Sequence, residues 1–538
     1  MDNKRALLAV VLSLAVLLAW NWLFPPQHPA PDPGTTSVAT MEQPPSQAIP
    51  PDAETSISDT ASQLFTPTEG RTVRVETPLY QAEFSSTGGI LEHFTLTEYR
   101  ETIAPGASPI DLVSSTAMSK APMGISWQKT GTWKHGEWSF QGSDLKLNGA
   151  EDSGSLIFNG RIGDFMLVRT LSFSGQTYLI KERLAISNTG GNPLSGVLGF
   201  NLAASDFSAQ PNPYNLPRIA YLTATSLKDE SDLDDLKIGI SPLEPVQWGA
   251  IESNYFMAAM VPESGTMGLK AKFEDETFRL VLEKEIALAP NQAMEMTNAY
   301  YFGPKTETDL VVAPSDLGRA INYGFFNVIA QPLITFLNFL YKFVHNYGVA
   351  IIILTIIIKI IFWPLSQKSY KSMEQMKRLQ PIMAQIREKY KDDRQRMNTE
   401  LMQLYKTYKV NPLGGCLPML LQIPVFFALY QALLGAIELR HAPFISNLPF
   451  TDIVWLADLS AKDPLYVTPL IMGATMFLQQ KMTPMPGDPL QAKIMLFMPI
   501  IFTFIFLNFP SGLVVYWTVN NLLSIAQQWL MIRKVKTS

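Results

Sequence analysis

The sequence contains very few of the residues and motifs from which metal, cofactor and catalytic sites are built. It has one cysteine, Cys416, so no disulfide can form within the chain. Its five histidines are scattered, and none lies in a Cys/His spacing typical of a zinc site. There is no phosphate-binding P-loop, no glycine-paired dinucleotide loop and no Gly-x-Ser-x-Gly elbow. We therefore predict no metal, no cofactor and no enzymatic activity.

Charge is divided unevenly between two parts of the chain. Residues 25–345 hold 21 Lys/Arg against 36 Asp/Glu, whereas the remaining residues hold 21 against 11. An acidic part and a basic part of one chain are expected to face different environments.

The N-terminal residues 1–24 contain an apolar run from Ala6 to Phe24 that is long enough to cross a membrane. The run lacks a small-x-small cleavage site, which favours an uncleaved anchor over the alternative of a signal peptide. Lys4 and Arg5 precede it and predict a cytoplasmic N-terminus. Residues 25–68 are rich in Pro, Ser, Thr and Gln and are interpreted as a disordered periplasmic linker.

Residues 69–320 show short segments of alternating polarity separated by turn residues. Strand pairs are predicted within residues 72–96, 165–193 and 267–288. Many short strands separated by turn residues are typical of a β-sandwich, which we place outside the membrane as one large domain.

Five further apolar runs predict membrane spans at residues 347–365, 413–434, 465–480, 494–509 and 512–531. Residues 321–346 are also apolar, but a crossing there would place residues 366–410, with 11 Lys/Arg against 5 Asp/Glu, outside the cell. We therefore predict that residues 321–346 form an amphipathic helix at the periplasmic interface. Six spans result, with a core at residues 347–532 and both termini, including the basic tail 533–538, in the cytoplasm.

Residues 366–410 predict a cytoplasmic hairpin of two helices that bury stripes of Met, Leu, Ile and Tyr against each other. Pro381 is expected to kink or interrupt the first helix. The hairpin is interpreted either as a self-packed unit with a solvated basic exterior or, in addition, as a docking surface for an anionic partner or for lipid headgroups. The basic residues proposed for docking are Lys371, Lys377, Arg378, Arg387 and Arg394.

Lys359 lies in the run of residues 350–365, which is otherwise almost wholly apolar, and spans two to six contain no Asp or Glu. A lysine near the middle of a span costs about 2.5–3.5 kcal/mol, so it needs either a path to the headgroups or a hydrated cavity. Other polar side chains of the spans favour the cavity, and we expect them to line a common groove: Thr355, Gln422, Thr503, Tyr516, Asn520 and Ser524.

Several segments resemble the YidC family of membrane protein insertases: "LQPIMAQIREKY", "YKVNPLGGCLPMLLQIPVFFALYQAL" and "SGLVVYWTVNNLLSIAQQ". The resemblance covers roughly residues 320–532, and the layout of an anchor followed by an outer β domain is similar to the Gram-negative form. It implies an inner-membrane protein whose periplasmic domain is a β-supersandwich akin to sugar-binding folds. It also implies insertion and folding of membrane proteins through a hydrophilic groove open to the cytoplasm and to lipid, alone or with the Sec translocon.

The resemblance also assigns residues and partners. Thr355, Gln422 and Tyr516 fall where the family lines its groove, and Trp517 stands beside Tyr516 where relatives often carry another aromatic. Lys359 occupies the position of a usual arginine; it keeps the charge but lacks the planar five-donor fork. The implied partners are nascent membrane proteins, membrane lipids, SecYEG and SecDF, with ribosome or signal-recognition components as further candidates and no specific nucleic acid.

The combined prediction is a polytopic α-helical membrane protein with six transmembrane helices, a large periplasmic β-supersandwich domain and a cytoplasmic helical hairpin. The alternative is a membrane-anchored periplasmic β-sandwich protein that acts on or binds carbohydrate. An enzyme of that kind needs a cleft with paired carboxylates. The one dense acidic cluster, "DESDLDD" at residues 229–235, is better explained as a solvated loop.

Overall fold

The computed structural model describes residues 67–207, 214–408, 410, 417–483 and 489–537. The predicted anchor 1–24 and nearly all of the predicted linker 25–68 lie outside these residues. The described chain forms a β domain followed by a set of helices.

The β domain is built from long strands, most of them in antiparallel pairs. The first eleven strands are β1 (Thr72–Glu76), β2 (Tyr80–Ser85), β3 (Ile90–Arg100), β4 (Pro109–Asp111), β5 (Ile125–Trp127), β6 (Thr130–Gly131), β7 (Glu137–Phe140), β8 (Leu145–Lys146), β9 (Ser153–Ile162), β10 (Phe165–Ser174) and β11 (Leu179–Asn188). The next eight are β12 (Leu194–Ala204), β13 (Arg218–Thr223), β14 (Leu227–Glu230), β15 (Val246–Glu252), β16 (Phe256–Pro262), β17 (Gly268–Glu274), β18 (Thr277–Leu288) and β19 (Ala293–Pro304). A small pair, β20 (Ile445–Asn447) and β21 (Val454–Leu456), lies among the later helices.

These strands form three larger sheets that share one apolar core. The nine-stranded sheet has the order β14-β13-β15-β16-β19-β11-β10-β9-β7. The two five-stranded sheets have the orders β4-β3-β2-β1-β8 and β17-β18-β12-β5-β6. Inward positions alternate with exposed ones along most strands, as the sequence pattern predicts for packed sheets.

The three predicted strand pairs are present as the hairpins β2–β3, β10–β11 and β17–β18. The turn between β2 and β3 needs its two glycines, because Gly88 and Gly89 have φ values of +87° and +62°. A side chain at Gly89 would also press on the ring of Phe158.

A buried ion pair joins this turn to the nine-stranded sheet. Arg169 on β10 donates from Nε to Oε1 of Glu182 on β11 at 2.6 Å, and both side chains are fully buried. Arg169 also donates from one terminal nitrogen to the carbonyls of Gly88 and Gly89, each at 2.9 Å. Asn298 donates to the other carboxylate oxygen of Glu182 at 2.7 Å. The pair therefore fixes the β2–β3 turn against the centre of the opposite sheet.

The acidic cluster at residues 229–235 is not a simple solvated loop. Asp229 and Glu230 end β14, and Asp232 accepts from the backbone N–H of Asp234 to cap a short helix, Leu233–Ile238. Carboxylates at a helix N-terminus are favoured by the helix dipole, which explains the density of acidic residues. Three further short helices cover the domain at Ser115–Met118, Thr132–His135 and Glu307–Leu310.

Eight longer helices follow. They are α1 (Asn327–Val344), α2 (Tyr347–Ile361), α3 (Trp363–Lys389), α4 (Arg394–Thr407), α5 (Leu417–Gly435), α6 (Val467–Met482), α7 (Pro489–Phe506) and α8 (Ser511–Thr537). The five predicted spans of the core correspond to α2 and α5–α8 with shifts of a few residues at their ends. The predicted tail 533–538 is mostly a continuation of α8.

By length and composition, the segment Gly324–Val344 is apolar enough to cross a membrane, and α2 with α3 would be a second such segment, bent by 63° at their junction. The residues Gln422–Gly435 and Met495–Phe506 form shorter apolar helices. The count of six spans therefore stays a prediction.

The predicted interfacial segment is helical from Asn327, and its two faces differ. Ala330, Ile334 and Leu337 are buried against the helices that follow, and α1 packs on both α2 and α5. Phe339 and Phe343 on the other face are about half or more exposed, at 51% and 69%. This division agrees with an amphipathic helix.

The predicted helical hairpin is present as α3 and α4. Leu379 and Met383 of α3 pack with Leu401 and Leu404 of α4 in a separate small core. Pro381 does not interrupt α3, which continues through it to Lys389. The sharp change of direction falls instead at Phe362, between α2 and α3.

Polar side chains of both parts join the β domain to the end of α5 and to the loop that follows it. Arg440 donates to the backbone carbonyls of Arg100 and Glu101 at 2.6 and 3.2 Å, and its guanidinium lies 5.4 Å from the ring of Phe256. Asn254 donates to the carbonyl of Leu434 at the end of α5, at 3.4 Å. Carbonyls at a helix C-terminus lack partners within the helix, so this contact stabilises both elements.

We expect Glu182→Gln to lower the free energy of opening of β10 and β11 by about 3–5 kcal/mol, because Arg169 would remain as a buried, unpaired charge. Hydrogen exchange of the full-length protein, followed by mass spectrometry of β10 and β11 peptides, measures this change. The control is Glu295→Gln, which removes the partner of the exposed Arg183 and should cost under about 1 kcal/mol. Equal exchange in the two variants would contradict the role assigned to the buried pair.

Candidate functional site

Lys359 lies in the last turn of α2, which ends at Ile361. The sequence had predicted a longer span reaching residue 365, with the lysine about six residues from its end. A cation in the last turn of a helix interacts favourably with the partial negative charge of the helix C-terminus. Because α2 ends at the bend near Phe362, the ammonium charge of Lys359 lies at the helix C-terminus, where the helix dipole stabilises it.

The ammonium group of Lys359 is directed at a neighbouring helix. Its Nζ donates to the hydroxyl of Ser524 on α8 at 2.7 Å. That hydroxyl donates in turn to the carbonyl of Asn520 one turn earlier, at 2.7 Å. In the described part of the chain no carboxylate forms an ion pair with Lys359, so the charge is held by a hydroxyl and by backbone dipoles.

The side-chain amides of Asn520 and Gln422 extend these polar contacts to α5. Gln422 donates from Nε2 to Oδ1 of Asn520 at 3.3 Å. These contacts form a continuous set of polar side chains that joins α2, α8 and α5. We call it the polar track, and its residues are Lys359, Ser524, Asn520 and Gln422. The sequence predicted all four, and the tertiary structure brings them together.

Gln527 continues the stripe of polar side chains on α8 that the sequence pattern predicts. It lies on α8 three residues after Ser524 and is 3% exposed. Its Nε2 atom is buried and has no hydrogen-bond partner among the described residues. Spacing on one helix face was the available signal, since Asn520, Ser524 and Gln527 follow one another at four and three residues.

Two other polar residues of α8 join it to α6 instead. Asn521 donates to the hydroxyl of Thr475 at 3.5 Å, and Gln528 donates to the carbonyl of Met482 at 2.7 Å. Such interhelical hydrogen bonds are a common means of packing helices in a membrane.

The structure does not bring the hydroxyls of Thr355 and Thr503 to the polar track. Thr355 is 1% exposed, and its hydroxyl donates to the carbonyl of Ile351 in its own helix at 2.6 Å. Thr503 likewise donates to the carbonyl of Pro499 at 2.7 Å and lies against Gly473 of α6. Both satisfy their polar groups locally, which a threonine can do in any helix.

Aromatic rings lie next to the polar track on the side toward the start of α8. Trp517 meets Phe426 of α5 edge-on at 4.6 Å and Phe506 of α7 at 4.8 Å between ring centroids. Tyr516 is buried and stacks on Phe426 at 6.3 Å. Phe506 stacks further on Phe509 at 4.7 Å. Tyr516 and Trp517, both predicted as groove residues, therefore form an apolar layer one turn from Asn520.

The helices beside the track carry large exposed apolar side chains. Five of these side chains are more than a third exposed: Ile423 and Phe427 of α5, and Phe497, Ile501 and Phe504 of α7. Large exposed apolar side chains on both helices are typical of surfaces that contact a membrane or a protein.

The predicted docking residues of the hairpin lie on its outer surface. Lys371, Lys377, Arg378 and Arg394 are exposed, and Arg387 is half-buried. Arg378 pairs with Glu374 one turn away at 3.1 Å. Nothing in this geometry selects a partner. Among the described residues, no group of three or more His, Cys, Asp or Glu side chains could hold a metal ion.

The apolar helices, the polar interior and the attached β domain together define a helical membrane protein with a large extramembrane domain. Two family models match: the YidC periplasmic domain over residues 72–336 and the 60Kd inner membrane protein over residues 339–538. The chain is similar to proteins named membrane protein insertase YidC from Oleidesulfovibrio alaskensis, at 53% identity over 99% of this chain and 100% of the relative, and Maridesulfovibrio salexigens, at 50% identity over 100% of both. The chain belongs to the YidC family of membrane protein insertases.

A crystal structure of an active YidC insertase with its first transmembrane domain resolved is also similar, with 18% identity, a TM-score of 0.35, and coverage of 87% of this chain and 96% of that chain. Membership of the family confirms the resemblance found in the sequence, and it establishes a membrane protein with a β-rich periplasmic domain. The carbohydrate-active alternative is not favoured, because the full-length relatives are named insertases.

We expect a cysteine at Asn520 to react with a membrane-impermeant maleimide from the cytoplasmic side at least about tenfold faster than one at Thr355, since only the former side chain is partly accessible. Both variants need a Cys416→Ser background, and the labelled fraction over time is the measurement. Ile360→Cys serves as the control, because Ile360 is 62% exposed but is expected to face lipid, where little thiolate forms. Equal labelling at 355 and 520 would contradict the burial described here.

Proposed function

We propose that this protein inserts and helps to fold membrane proteins by offering the polar track as a temporary solvating surface inside the membrane. The observation that carries the proposal is the contact of Lys359 with Ser524, continued by Asn520 and Gln422 between helices that are otherwise apolar. The names of the full-length relatives support the same activity.

The mechanism follows from the cost of moving polar chain through lipid. Each charged side chain of a translocated segment costs about 2.5–3.5 kcal/mol at the centre of a bilayer. The track supplies hydrogen-bonding groups and one positive charge, and acidic residues of the segment are attracted to that charge. The apolar segment of the same substrate slides along the exposed surfaces of α5 and α7. No covalent bond is made.

The aromatic layer supports a groove that opens to one side only. Tyr516, Trp517 and Phe506 lie between the track and the loop at Phe509, which connects α7 to α8. We place this layer toward the periplasm and the track toward the cytoplasm. A polar segment then enters from the cytoplasm without opening a pore.

The proposed topology has six spans in the inner membrane, with both termini in the cytoplasm and α1 lying at the periplasmic interface. The basic excess of α3 and α4 supports a cytoplasmic hairpin. The exposed basic side chains of this hairpin are proposed as docking groups for anionic headgroups or for ribosome and signal-recognition components. SecYEG and SecDF are proposed partners on the grounds of family resemblance.

We expect Lys359→Glu to reduce insertion of a substrate with an acidic translocated segment at least about tenfold, because it replaces attraction by repulsion over a few ångströms. Lys359→Arg, which keeps the charge, is the matched variant and should retain most of the activity. Protease protection of the substrate in cells depleted of the native protein measures insertion.

A second substrate separates electrostatic from structural effects. If its translocated segment has no acidic residue, Lys359→Glu should reduce insertion by no more than about twofold. Equal damage to both substrates would show that Lys359 supports the fold and not the attraction of acidic chain.

The topology predicts opposite accessibility for two exposed positions. In a Cys416→Ser background, a cysteine at Gln375 on α3 should react only after the membrane is permeabilised, whereas one at Leu243 in the β domain should react once the outer membrane is opened. Both positions are exposed, so burial does not limit either reaction. Labelling of Gln375→Cys without permeabilising the inner membrane would contradict the proposed arrangement.

A further inference from the structure

A cavity of about 360 Å³, lined by both polar and apolar residues, lies where the β domain meets the helices. Its walls come from β13–β15 and the end of β19, from the chain just before α1, and from the last turns of α5. Asn322 and Gly324 lie on one side, and Gln431 and Leu434 on another. This volume lies within the range of small-ligand sites in proteins.

One wall of the cavity holds three charged side chains with a surplus of positive charge. Glu252 is 3% exposed and pairs with both Arg218, at 2.7 Å, and Lys305, at 2.9 Å. One carboxylate therefore balances two cations. Burial lowers the pKa of Lys305 from its ordinary value to about 8, although Glu252 acts in the opposite direction. The two cations of this wall attract an anionic group.

A carboxylate lies at the same cavity and balances the charge of the site as a whole. Asp229 on β14 is exposed and lines the cavity, and it pairs in register with Ala220 on β13. The four side chains Arg218, Lys305, Glu252 and Asp229 sum to a net charge of zero. The site thus offers a cationic wall and a separate anionic group, which together match a zwitterion better than an anion.

An unpaired amide also lines the cavity. The Oε1 atom of Gln431 is buried and accepts no hydrogen bond from the described part of the chain. The amide of Gln431 lies close to Gly324, where an added Cβ would come within 3.1 Å of its Nε2 atom. Buried polar atoms normally have partners, so an unpaired acceptor in a cavity points to a ligand that donates.

Apolar residues beside the cavity place it at the level of lipid headgroups. Gly324 lines the cavity, and the next residue, Phe325, is 65% exposed, as is Val328 at 85% one turn later. Phe427, one turn before Gln431 on α5, is 44% exposed. Acyl chains that cover these side chains would leave a headgroup next to the cavity.

We propose that this cavity binds the headgroup of a zwitterionic phospholipid that carries a primary ammonium, of the phosphoethanolamine class, from the periplasmic leaflet. Its phosphate pairs with Arg218 and Lys305, and its ammonium pairs with Asp229 and donates to Gln431. The bound lipid links the β domain to α1 and α5. This inference goes beyond insertion and rests only on the proposed placement of α1 at the periplasmic interface.

The test uses the full-length protein in nanodiscs that contain equal amounts of phosphatidylethanolamine and phosphatidylglycerol. Lipids that remain after mild delipidation are counted by native mass spectrometry. The native protein should retain one phosphatidylethanolamine in preference to phosphatidylglycerol. Arg218→Gln leaves Glu252 paired with Lys305 and should lower this retention about tenfold, since it removes a charge-assisted hydrogen bond. Arg183→Gln, at an exposed ion pair away from the cavity, should have no effect.

A second variant tests the choice of headgroup without altering a buried residue. Asp229→Asn should bring the retention of the two lipids to within about a factor of two, because the ammonium loses its partner. Equal retention of both lipids by the native protein would overturn the zwitterion assignment. Displacement of the lipid by millimolar inorganic phosphate would show a site for free phosphate and overturn the lipid assignment. Unchanged retention in Arg218→Gln would overturn the site itself. Insertion assays with Lys359 variants do not depend on any of these outcomes.

Discussion

A positive charge within an apolar group of helices must be solvated by the protein itself, and the membrane part of this structure depends on how that is done. Lys359 meets the requirement in three ways. It lies in the last turn of α2, where the helix dipole favours a cation. It donates to Ser524, whose own hydroxyl is oriented by the carbonyl of Asn520. Beside that contact, amide groups extend the polar surface to α5.

The same arrangement suits the proposed contact between the polar surface and a passing substrate. Hydroxyl and amide groups exchange partners at a cost of about 0.5–1.5 kcal/mol for each hydrogen bond, so they bind polar chain without trapping it. A carboxylate beside Lys359 would form a lasting ion pair and cancel the attraction for acidic chain. The aromatic layer at Tyr516 and Trp517 lies one turn from Asn520, and large apolar side chains of α5 and α7 are exposed. In the proposed mechanism, this layer closes one side of the groove and these side chains contact the apolar part of a substrate.

The β domain is attached to these helices by a small number of specific contacts. Arg440 and Asn254 use backbone carbonyls as partners, so these contacts depend on the chain path of both parts. Within the domain, Arg169 and Glu182 fix the β2–β3 turn. The cavity around Arg218, Glu252 and Lys305 lies at the junction, and residues of the β domain, of the chain before α1 and of α5 all line it.

Sequence patterns alone predicted the kinds of elements, their approximate limits and the four residues of the polar track. The hairpins β2–β3, β10–β11 and β17–β18 were predicted from alternating polarity, because successive side chains of a strand point to opposite faces of the sheet. The helices α2 and α5–α8 were predicted from apolar runs, because a membrane span requires a long run of apolar residues. Motif resemblance gave the family. Contacts between distant residues leave no such local pattern. Three findings come from the folded structure and not from sequence patterns. Thr355 and Thr503 satisfy their hydroxyls within their own helices, and α2 ends at Ile361. Arg218, Glu252 and Lys305 line a cavity that Gln431 also lines. These outcomes depend on how separate elements pack against each other. Packing depends on the shapes of side chains from distant parts of the chain, which no single segment of the sequence contains.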